Sequence, residues 1–263
     1  MSEDSVLMRA SPDGVATITL NRPDVHNAFN AEVIERLSDV LEDLAGADGV
    51  RAVLLEAAGK SFSAGADLHW MKLAASFTEA ENLEDARVLS QILNRLSTLP
   101  KPTVALVQGA AFGGGVGLMA ACDIVIAVES AAFSLSEIKL GLIPATISPY
   151  VIAAIGERQA RRYFLTGERF DTHEARRIGL VHEVVADGEA LVAAGERMVE
   201  RLFAAPPGAL AEAKDLIAAV AGRPIDAAVI EDTARRIAAR RVHAEAGEGI
   251  AAFLEKRKPG WCG

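Results

Sequence analysis

The sequence predicts an α/β fold, and three observations carry that prediction. Over the first two thirds of the chain, short apolar runs that stop at glycine or proline alternate with stretches of helical period. Hydrophobic residues make up 51% of the 263, enough for a large buried core and too many for a disordered chain. From about Asp171 onward the text turns almost wholly helical, rich in Ala, Arg and Glu. Strands that alternate with helices pair in parallel. The expected organisation is therefore a core over residues 1–200 with a helical region over 201–263.

The elements follow in order. "GVATITLNRP" has strand character and ends at Pro23. "NAEVIERLSDVLEDLAG" opens on a good N-cap, Asn30, and ends at Gly46, so it reads as a helix. "RAVLLEAAG" is a short apolar strand. A helix near Thr78–Leu99 is closed by Pro100 and Pro102, and "PTVALVQGAA" is the next buried strand. A glycine run leads into a short helix from Gly114 or Gly115 to about Cys122. "DIVIAVESAAFSLSE" then supplies two more short strands. No repeat of 20–50 residues stands out.

Composition excludes several function classes. A net charge of −9 argues against a nucleic-acid partner. Cys122 and Cys262 make neither a disulfide framework nor a metal site, and a reducing, cytoplasmic setting is expected. The opening "MSEDSVLMRA" has no apolar core of a signal peptide, and no apolar run of 18 residues exists to span a membrane. The five histidines show no metal-ligand spacing and read as surface or capping residues. "GKS" at Gly59–Ser61 mimics the end of a P-loop, but Leu54 stands where the first glycine is required. No G-x-G-x-x-G can be placed over 109–118.

Two loops remain as candidates for chemistry. "KSFSAGADL" runs from a strand into a helix that starts at Ala66 or Asp67, and its Ser63-Ala64-Gly65 turn exposes backbone N–H groups. "AFGGGVGLMAACD" is a second strand-to-helix junction, whose helix N-terminus carries unpaired N–H groups and partial positive charge. Two such groups converging on one oxygen would form an oxyanion hole.

In this order and at these separations, "FSAGADL", "VQGAAFGGGVGL", "ACDIVIA" and "FSLSEIKLGLIP" resemble the crotonase (enoyl-CoA hydratase/isomerase) superfamily, and the resemblance extends from "LNRPDVHNAFN" to "FLEKRKPGW". It implies a spiral of ββα turns with a C-terminal helical trimerisation region, an acyl-CoA ligand, and a homotrimer or hexamer. By motif position, it implies oxyanion donors at the N–H groups of Ala64 and Gly114. It places contacts to the acyl-CoA at Ala28, Ala64, Gly65, Ala66, Asp67, Leu68 and Gly114, with Lys256 as a phosphate contact, from a neighbouring subunit if not its own. No metal and no redox cofactor are implied, coenzyme A being part of the substrate.

Adding water across a double bond conjugated to a thioester requires a base for the water and a proton for the α-carbon. The resemblance assigns this to Glu137, which on local sequence alone reads as a helix-start glutamate after Ser134 or Ser136. Hydratases of this family carry a first glutamate three residues after the oxyanion glycine. That position is Gly117 here. Asp67 reads as a helix-start residue, and Asp123 as a tie between a helix end and the next strand. With one carboxylate, two chemistries stand: same-face water addition, and a Δ3-Δ2 double-bond shift. A non-catalytic acyl-CoA-binding protein is the alternative of another class. The text after Glu137, "IPATISPYVIAAIGERQARRYFLTGERFD", resembles the 3-methylglutaconyl-CoA and carboxygeranoyl-CoA hydratase branch, whose substrates are branched and carry a second carboxylate. On that reading, Gly117 leaves space for the second carboxylate.

Overall fold

A computed structural model describes residues 4–262. Ten strands, β1 (Val6–Ala10), β2 (Val15–Leu20), β3 (Ala52–Ala57), β4 (Ser61–Ser63), β5 (Thr103–Val107), β6 (Ala110–Phe112), β7 (Ile124–Val128), β8 (Ala132–Ser134), β9 (Phe170–Asp171) and β10 (Glu183–Val185), form two sheets. Ten helices accompany them: α1 (Ala31–Gly46), α2 (Leu68–Ala74), α3 (Glu79–Thr98), α4 (Gly114–Ala120), α5 (Ser148–Thr166), α6 (Thr172–Arg177), α7 (Gly188–Phe203), α8 (Pro207–Val220), α9 (Ala227–Arg241) and α10 (Ala244–Leu254).

The larger sheet has the order β1-β2-β3-β5-β7-β10 and the smaller one β4-β6-β8-β9. Successive turns of the chain deposit one strand in each. Thus β3, β5 and β7 pair in parallel in the first sheet, while β4, β6 and β8 pair in parallel in the second. Helices follow each pair, so the path is a spiral of ββα turns. Every residue of β5 is buried, as expected for a parallel strand covered on both faces. The β1–β2 and β8–β9 pairs are antiparallel.

Local signals explain the helices. Asn30 caps α1 by accepting from the Val33 N–H, and Val33, Leu37, Val40, Leu41 and Leu44 form its buried stripe. Each such side chain contributes about 1.5–3 kcal/mol of burial. Thr78 and Glu81 close a capping box at the start of α3.

Some elements differ from the sequence reading. "PTVALVQGAA" is two strands, β5 and β6, that part company after Val107 and enter different sheets. The region after Asp171 contains β10, which pairs with β7 inside otherwise helical text. Helix α7 crosses residue 200 and packs on β5 and β7, so the helices that leave the sheets begin at Pro207. Asp123 grips a neighbouring strand instead of its own: its carboxylate accepts from the Thr103 N–H and Oγ1 at the start of β5, and from Lys214. Among the described residues, no helix is long and apolar enough to cross a membrane.

Candidate active site

Strands β4, β6 and β8 lie side by side in parallel, so their C-terminal ends share one edge of the small sheet. Three segments leave that edge: Ala64–Asp67, Gly113–Gly114 and Leu135–Glu137. All three open onto a cleft of about 1020 Å³. Open α/β sheets bind ligands at this end of their strands.

The first segment is held from below. The buried Ser63 Oγ donates to the Asn27 carbonyl at 2.9 Å and accepts from the Gly65 N–H at 3.1 Å. Asn27 is braced in turn, its Nδ2 donating to the Ala58 and Ser61 carbonyls. Phe29 pairs in parallel with Ala66, donating to the Gly65 carbonyl and accepting from the Asp67 N–H. That pairing turns the Ala66 N–H the opposite way. It has no partner among the described residues.

This corrects one expected donor. The Ala64 N–H is not free, because it donates to the His26 carbonyl at 2.9 Å. The free N–H on the loop belongs to Ala66. Gly114 stands as expected: it is the first residue of α4, so its N–H has no intrahelical acceptor, and none lies elsewhere among the described residues. The two loops touch. Gly65 has φ +87°, and the Cβ it lacks would lie 2.8 Å from the Phe112 carbonyl oxygen and 3.3 Å from the Gly114 nitrogen. Only glycine allows this approach.

Side chains of Ala64, Ala66 and Leu68 line the cleft, while Asp67 points away from it. Asp67 caps α2, accepting from the His69 and Trp70 N–H groups, and pairs with Arg22 at 3.1 Å. Burial alone would raise its carboxyl, but those hydrogen bonds and the guanidinium hold it below the usual range. Arg22 also donates to the Ala28 carbonyl at 2.6 Å. Ala28 is buried and does not line the cleft. Lys256, exposed after α10, does not line it either. Asp67→Ala should cost about 1–2 kcal/mol through the lost cap, seen as a lower midpoint in urea. It should raise KM more than it lowers kcat, because α2 walls the cleft.

Glu137 is not a cap. It lies in a single 3₁₀ turn, Ser136–Leu140, without a side-chain cap, while Ser134 donates to the Gly167 carbonyl. The Glu137 Oε2 is buried with no hydrogen-bond partner. Its Oε1 lies 2.9 Å from where a Gly113 Cβ would project, beside the junction that carries the free Gly114 N–H. Burial pushes this carboxyl above the ordinary carboxylate range, against a smaller opposing pull from its own backbone N–H.

Gly117 leaves no space for a substrate carboxylate. A Cβ there would fall 2.0 Å from Ile147 Cγ2 and 2.5 Å from Ile147 Cβ. The side chain of Ile147, 2% exposed, already fills the gap. Ile147 precedes α5 and lines the cleft, as do Lys72 and Asp85, and none of the three had a sequence signal that singled it out. Lys72 is the one cation in the wall among the described residues. No cluster of three or more His, Cys, Asp or Glu side chains suited to a metal occurs among them.

Known proteins place this geometry. Residues 10–263 match the family model described as enoyl-CoA hydratase/isomerase. The crystal structure of an enoyl-CoA hydratase from Shewanella pealeana is 44% identical, with a TM-score of 0.94 over 98% of this chain and 96% of that one. AtuE of Pseudomonas aeruginosa is 40% identical, with a TM-score of 0.93 over 98% of this chain and 100% of that one. The 1,2-epoxyphenylacetyl-CoA isomerase of Escherichia coli is 33% identical over 95% of each chain. With a spiral of ββα turns, a cleft at the strand ends and these relatives along its whole length, the chain is an enzyme of the enoyl-CoA hydratase/isomerase family.

Proposed function

We propose that the enzyme adds water to 2-enoyl-CoA thioesters, with Glu137 as its one acid–base group. The observation that carries this reading is the Glu137 carboxyl, its Oε2 buried without a hydrogen-bond partner, beside a junction where two residues with unpaired N–H groups line one cleft. The thioester oxygen sits between the Ala66 and Gly114 N–H groups, which stabilise the charge that develops as water attacks the β-carbon. Ionised Glu137 takes the water's proton and returns it to the α-carbon, so both groups add to the same face. A raised carboxyl pKa makes ionised Glu137 the stronger base for the first of these steps. The scheme calls for no metal and no redox cofactor.

Acyl-CoA as the ligand is supported by a second cleft of about 660 Å³, which shares Trp70 and Lys72 with the first and adds His69 and the Arg22–Asp67 ion pair. Lys72, common to both clefts, suits an anionic carrier. A branched, carboxylated acyl group such as 3-methylglutaconyl would meet its counter-ion in Lys72. The exposed Ile225, Val242, Phe253 and Leu254 of the C-terminal region support assembly into a trimer or hexamer.

The Δ3-Δ2 isomerase reading is favoured by one observation: Ile147 stands where a second acid would be. Product analysis decides between the two. Incubation with crotonyl-CoA, 3-methylglutaconyl-CoA and a 3-enoyl-CoA, followed by mass spectrometry and NMR, is expected to show a gain of one water on a 2-enoyl-CoA. Bond migration in the 3-enoyl-CoA without water uptake by either 2-enoyl-CoA would establish the isomerase instead. Either way kcat/KM should rise with pH along a single limb, because one ionised carboxylate starts the reaction. A bell-shaped profile would contradict a one-acid site.

A further inference from the structure

The geometry points to Ile147 as the residue that fixes the number of acids in the site: its side chain, keyed into the gap over Gly117, bars a second acid and leaves Glu137 to act alone. This rests on the reading of Glu137 given above. Gly117 follows Gly114 by three residues, just under one helical turn and about 4.5 Å of rise, so a side chain there would leave α4 on the face that carries the free Gly114 N–H. The gap is filled from outside the helix. Ile147 Cγ2 lies 2.0 Å and Ile147 Cβ 2.5 Å from the absent Gly117 Cβ. Ile147 is too deep to swing out freely: it is 2% exposed, belongs to the main hydrophobic core, and accepts the Val151 N–H at the start of α5.

The two positions therefore act as one unit. Any residue larger than glycine at 117 must displace Ile147, and the cleft wall beside the reacting carbons is methyl groups where a second carboxyl would stand. The titratable side chains that line the cleft among the described residues are Glu137, Asp85 and Lys72. Only Glu137 is placed beside the glycine junction.

A double-mutant cycle tests this. Gly117→Ala and Ile147→Ala should each lower the melting temperature, and the pair should lose less than the sum of the two. Gly117→Glu should lower crotonyl-CoA hydration at least ~100-fold by displacing the wall. Adding Ile147→Ala should recover at least ~10-fold of it, and the pH profile should gain a falling limb at high pH from the new acid. Additive melting losses, or a Gly117→Glu enzyme equal to the double variant, would overturn the inference. Glu137→Gln is run in parallel. If it turns over like wild type, the one-acid reading fails and takes this inference with it. If it is inactive while Gly117 and Ile147 behave additively, this inference alone fails.

Discussion

Glu137→Gln lowers kcat by at least ~100-fold, the scale of a positioned acid–base group, with little change in KM because the amide keeps the shape of the carboxyl. Steady-state turnover of a 2-enoyl-CoA checks this, and near-normal kcat would remove Glu137 from the mechanism. The same variant has a second readout. Burial raises the carboxyl above its ordinary 4.5 in the folded protein. Between 4.5 and that raised value the folded state holds more protons than the unfolded one, so stability falls as pH rises through the window. Above the window the loss is complete. Glutamine carries no such penalty. The variant should therefore melt at a higher temperature than wild type at pH 8, and the gap should close below about pH 4.5. A gap of opposite sign would contradict burial as the dominant influence on this carboxyl.

Gly65→Ala should cut kcat by ~10²–10³-fold, the cost of losing one oxyanion donor. The added methyl group meets the Phe112 carbonyl at 2.8 Å and has to be carried at φ +87°. The Ala64–Asp67 loop then moves away from Gly114, and the two N–H groups no longer share one oxygen. Affinity for an acyl-CoA product should change less than turnover, since the lining side chains of α2 are untouched. Binding and kcat measured together separate the two, and thermal melting controls for unfolding. A loss of turnover below about 10-fold would remove this pair of N–H groups from the mechanism.

Residues that act through neighbours in sequence were legible, and those that act through distant packing were not. The cap at Asn30 announces α1, the prolines after Leu99 announce the end of α3, and the glycine run announces the free end of α4. The small sheet was harder. Its strands β4, β6 and β8 have three residues each, too few for a periodic signal, and the parallel strands β3, β5 and β7 begin at the uneven positions 52, 103 and 124. That spacing hides the repeat in the text. β10 is a half-buried three-residue strand set among helices. In the site, the resemblance pointed to Gly114 and Glu137, and both line the cleft. The choice between Ala64 and Ala66 lay outside local sequence, because "AGA" reads the same in both directions and only the pairing with Phe29 decides which N–H faces the cleft. Ile147 is far from Gly117 along the chain, and no spacing rule connects them.

The interlock of Gly117 with Ile147 also constrains how such an enzyme can change over time. A lineage that carries this pair cannot recover a second acid in one step, since a glutamate alone at 117 meets a filled wall and an alanine alone at 147 leaves a hole of about three methyl groups. Both intermediates are worse than either end state. Such a pair works as a ratchet, and the descendants of this protein would diversify in acyl chain more easily than in the number of acids they use.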